Sequence, residues 1–163
     1  MKFTLVKDVK HDSLMRPLLG GLLLFIFLFL TADIFLKNDH IGLTPTTLSQ
    51  TLFGNEEEFI EPASEHFLLE LMHSDIFFMM MTLLTLSAVY ARLCQNNTLR
   101  LVNINVTMIA ALLAILFLPL AYYLSAHFIL PYIAAFYLWH LMALMMTLAS
   151  LFYLFVPQKS DLN

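Results

Sequence analysis

Charge is scarce in this sequence. Of 163 residues only 8 are Lys or Arg and 12 are Asp or Glu, so charged side chains make up 12%, about half the ~25% of an ordinary soluble domain. Cys94 is the sole cysteine, which excludes an internal disulfide and with it a disulfide-stapled secreted scaffold. The four glycines, at positions 20, 21, 42 and 54, build neither a phosphate-cradling loop nor a nucleophile elbow. An excess of base is lacking too: the net charge is −4, which excludes a nucleic-acid binder that works by neutralising phosphates. No catalytic constellation is left, so an enzyme acting on its own is not expected.

Apolar surface is abundant. Hydrophobic residues reach 60%, with 15 Phe and 10 Met, and the mean hydropathy is +0.80. A soluble fold of this length buries only about two-thirds of its surface, too little to hide so much. The sequence therefore predicts an all-α integral membrane protein surrounded by a lipid bilayer.

The sparse charges mark out the spans. From Leu101 to Gln158 there is no Asp, Glu, Lys or Arg. A helix crosses the hydrocarbon with about 20 apolar residues, so this stretch holds two spans, joined at Ser125–Pro131, where Pro131 suits the first turn of a new helix. Two further spans precede them, giving a single domain with four predicted helices near 17–36, 66–92, 101–124 and 132–156. A cleaved leader over Met1–Ala32 fits less well, because the apolar run continues through Ile34-Phe35-Leu36. Seven of the eight basic residues flank one side of these spans and only Lys37 the other. The positive-inside rule then puts both termini in the cytoplasm, with the acidic 37–65 loop outside. Within that loop Thr44-Pro45 opens a short interfacial helix and Gly54 closes it.

Lipid supplies no hydrophobic drive for helix association, so small and polar faces should turn inward. The third span offers Thr107, Ala111, Ala114, Leu118, Ala121 and Ser125; the fourth offers His140, Ala143, Thr147 and Ser150. On the second span His66, Glu70, His73 and Phe77 share one side, and this side too is expected to face the bundle.

Ionisable groups inside a span are costly and mark candidate sites. His73 and His140 fall about 10–12 Å below the outer ends of their helices, a matching depth at which two imidazoles could share a ligand. One reading is a b-type haem with His73 and His140 as axial ligands for electron transfer. A second is a bare metal ion, Zn or Cu, held by Glu70 and His73 in a Glu-x-x-His pair and completed by His66, His140, His127 or Asp33. The plain alternative is a hydrogen-bonded polar plug in a cofactor-free accessory subunit, working with a larger membrane protein or as a homo-oligomer.

The segments Ile41-Gly42-Leu43-Thr44-Pro45, Phe53-Gly54-Asn55-Glu56-Glu57 and Leu69-Glu70-Leu71-Met72-His73 resemble those of a group of small four-span bacterial inner-membrane proteins. The resemblance covers residues 40–80 and implies topology rather than activity. Where that group carries His-x-His, this chain has His73-Ser74-Asp75.

Overall fold

A computed structural model describes residues 13–156. Five α-helices follow in order: α1 (Met15–His40), α2 (Pro45–Phe53), α3 (Glu65–Leu93), α4 (Asn97–Tyr123) and α5 (Ile129–Phe155). A single 3-10 turn, Ala126–Phe128, joins the last two. No strand occurs among the described residues. Four of the helices, α1, α3, α4 and α5, are long and apolar enough to cross a membrane, as the four-helix bundle requires.

The helix limits follow from local chemistry. At the start of α2, Thr44 Oγ1 accepts from the Thr47 amide at 3.2 Å and Pro45 fills the position where no amide partner exists. The helix stops at Gly54, whose φ of +81° is open to glycine and strained for most other residues. Ser64 caps α3 by accepting from Phe67 N, and Asn96 caps α4 by accepting from Leu99 N. That Asn96 cap starts α4 four residues before the apolar run does.

The best-matched face is between α4 and α5. Thr107, Ala111, Ala114 and Ala121 of α4 and His140, Ala143, Thr147 and Ser150 of α5 are all buried, as the small-residue pattern predicts. Alanine there lets the two backbones approach closely. At one end of the bundle α2 folds over as a lid: Leu48 and Leu52 are buried in one cluster with Leu68, Leu118 and Ile133. This is the capped end. Two tyrosines fasten the segment after α2 to it, Tyr122 OH donating to Ala63 O at 3.1 Å and Tyr123 OH to Glu65 at 2.9 Å.

Two elements differ from the sequence reading. Helix α1 continues past Leu36 to His40, because Lys37, expected in the loop, is only 4% exposed and pairs with Asp75 of α3. Helix α3 is turned the other way about its axis. His66, Glu70, His73 and Phe77 all face away from the bundle, and the inward line is Leu68, Asp75, Met79, Thr82 and Leu86. At 100° per residue His73 stands about 200° from Asp75. Turning Asp75 toward Lys37 therefore turns His73 out.

Candidate functional site

Inside the capped half of the bundle, Asp33, Lys37, Asp75 and His140 come together from three helices. Asp33 and Lys37 are one turn apart on α1, so they share a stripe. Lys37 Nζ donates to both carboxylate oxygens of Asp75 on α3, at 2.6 Å to Oδ2. His140 of α5, 1% exposed, lies with Nε2 3.0 Å from Asp33 Oδ2 and Nδ1 2.9 Å from the Phe136 carbonyl oxygen. The rings of Phe136 and Trp139 close over the imidazole at 4.1 and 4.2 Å between centroids. Helix α4 adds only Ala114, Ile115 and Leu118 to this region.

The ion pairs border a cavity of about 20 Å³, lined by Asp33, Lys37, Asp75, Tyr132 and Trp139 among others. That is room for about one water. Tyr132 OH and Trp139 Nε1 are buried in its wall, with no hydrogen-bond partner among the described residues. Asp33 and Asp75 keep 16% and 22% of their side-chain surface exposed, so the cluster is not sealed.

The protonation of the His140–Asp33 pair follows from its geometry. A carbonyl oxygen only accepts, so Nδ1 must carry a hydrogen to bond Phe136 O. Nε2 then meets a carboxylate oxygen, and two lone pairs at 3.0 Å would repel. A second proton must sit on Nε2 or on Asp33. The charge count agrees: Asp33 and Asp75 bring two negative charges, Lys37 one positive, and this extra proton makes the quartet neutral, the state a low-dielectric interior favours.

The structure does not bring the predicted ligands together. A bis-imidazole haem needs His73 and His140 to face one another with a free nitrogen each. His73 faces outward from α3, and both nitrogens of His140 are already engaged. Of Glu70, His73, His66 and His140, the first three are on the outside of α3 and the last is in the core, so one chain does not bring these four together. Among the described residues no three His, Cys, Asp or Glu converge as metal ligands. Asp33, a completing ligand in the metal reading, is central; Lys37, Tyr132 and Trp139 are not among the residues the sequence singles out for the site. The i, i+4 spacing of Asp33 and Lys37 was the available signal, since it puts two opposite charges on one stripe of an otherwise apolar helix.

A family model described as a transmembrane helical domain matches residues 42–161, from the approach to α2 through all of α5. The chain belongs to the Aq_1264_TM family. No curated protein matches it, and no solved structure does either. The matched residues take in Asp75 and His140 but not their partners Lys37 and Asp33 on α1.

Proposed function

We propose that this Aq_1264_TM protein is a non-catalytic membrane subunit that binds one proton between His140 and Asp33, and that the proton controls how α1 docks on α5. The observation that carries this reading is His140 itself, both of whose ring nitrogens meet oxygen acceptors. Taking the proton away sets the Nε2 lone pair against a carboxylate, so α1 and α5 part at that level. The groups that face the pair are Lys37 from α1, Asp75 from α3 and Tyr132 from α5, with no titratable group from α4. Exchange proceeds through the partly exposed Asp33 and Asp75. Among the described residues, the polar side chains packed inside the far half of the bundle are Thr82, Thr107, Thr147, Ser150, the Asn103–Tyr90 pair and the Cys94 thiol, with Arg16, Arg92 and Arg100 at its rim, so the site serves one side of the membrane rather than a path across it. We place the capped end on the periplasmic side of a bacterial inner membrane, with both termini cytoplasmic; the distribution of basic residues supports this.

Nitrogen NMR of histidine-labelled protein in nanodiscs, read with the infrared carboxyl band, tests the proposal. The expected result is either a doubly protonated His140 ring or a protonated Asp33 carboxyl. In Asp33→Asn the amide donates to Nε2, which becomes an unprotonated acceptor. A wild-type ring with bare Nε2 beside an ionised Asp33 would overturn it.

A further inference from the structure

The outward stripe of α3 has its own chemistry, independent of the buried quartet. His66, Glu70, His73, Phe77, Met80 and Leu84 are all exposed and recur at spacings of four and three, the rhythm of a helix–helix seam. None of the three ionisable members makes a hydrogen bond or ion pair with a described residue. Helix α3 has 29 residues, about 43 Å at 1.5 Å per residue. Centred on ~30 Å of hydrocarbon, it leaves Glu70 at the edge and His73 inside by roughly one turn. An outward carboxylate and imidazole at that depth are expensive against lipid.

Glu70 and His73, at i and i+3, share one face of α3, the spacing carboxylate–histidine metal bundles use. His66 lies two turns from His73, so one chain brings two ligands to one ion and no more. A tetrahedral ion needs four. A two-fold axis along the membrane normal supplies the other two, because it sets the same stripe of a second copy against the first. It also sets Glu70 against the second copy's Glu70, a like-charge clash that a divalent ion removes: two carboxylates and one M²⁺ sum to zero with neutral imidazoles. Phe77, Met80 and Leu84 continue the contact below. We infer that Glu70 and His73 are half of a divalent transition-metal site, of the zinc class, completed by a second copy of this chain.

The test is the mass of the full-length protein in detergent, by native mass spectrometry, first in EDTA and then with Zn²⁺ added. The mass should double, with one zinc per two chains, and the doubling should vanish in Glu70→Gln and in His73→Gln while helicity by circular dichroism stays the same. A second variant keeps both ligands: Phe77→Cys, in a Cys94→Ser background, should cross-link to itself in membranes with Zn²⁺ and not with EDTA. Absence of zinc binding, zinc bound one-to-one by a monomer, a dimer indifferent to Glu70→Gln and His73→Gln, or cross-linking of position 77 only to a different protein would each overturn the inference.

Discussion

Helices α3 and α5 both carry histidines at similar depth, yet they treat them oppositely. His140 on α5 is buried and used at both nitrogens; His73 on α3 looks outward. The difference lies in the rest of each helix. On α5 the histidine stands in line with Ala143, Thr147 and Ser150, so the small-residue face and the polar residue agree about which side is inside. On α3 the small-residue signal is weak, and ionisable groups occupy two opposed sides, Asp75 on one and His66, Glu70 and His73 on the other. Lys37 decides between them. A buried ammonium demands a carboxylate, and Asp75 is the one from α3 that meets it.

That contrast can be broken most strongly at Lys37. Lys37→Met leaves Asp75 without its partner, and we expect a loss of about 3–5 kcal/mol, reduced by the partial exposure of Asp75, in detergent unfolding. The double variant Lys37→Met/Asp75→Leu should recover most of it; if it does not, the pair is not what orients α3. Next in size is the α4–α5 seam. Ala143→Leu inserts bulk where Ala143 has no exposed surface, and a cost of about 1–3 kcal/mol is expected, whereas Ala88→Leu on the outer side of α3 should leave the melting temperature unchanged. Thr44→Ala removes the cap of α2 and should cost about 1 kcal/mol, read as faster proteolysis of the 41–64 segment. Smallest is His73→Ala, expected within ~0.5 kcal/mol in metal-free protein; a loss like that of His140→Ala would mean that α3 faces the other way.

Much of this was legible in the sequence. Charge spacing gave the four spans, Thr44-Pro45 and Gly54 gave the bounds of α2, and the Ala and Thr stripes gave the buried faces of α4 and α5. The rotation of α3 was not legible, because a helix apolar on nearly every side shows little amphipathic direction. The choice then rested on which ionisable residues had partners on another helix. Lys37, read as the first residue of a loop, hid the partner of Asp75. The site was thus half visible: His140 was named and Asp33 weighed, while the Lys37–Asp75 pair emerges only once α1 is seen to run on to His40.

The long reach of the two ion pairs bears on how the protein is made. The partners of Lys37 and Asp33 lie 38 and 107 residues downstream, and synthesis delivers the first span before either. Until α3 emerges, α1 enters the bilayer with Lys37 and Asp33 left only to each other, one turn apart near one end, and until α5 emerges Asp33 still lacks its imidazole. The first helix of this chain is therefore a poor resident of lipid by itself, and its insertion is complete only when the last one arrives.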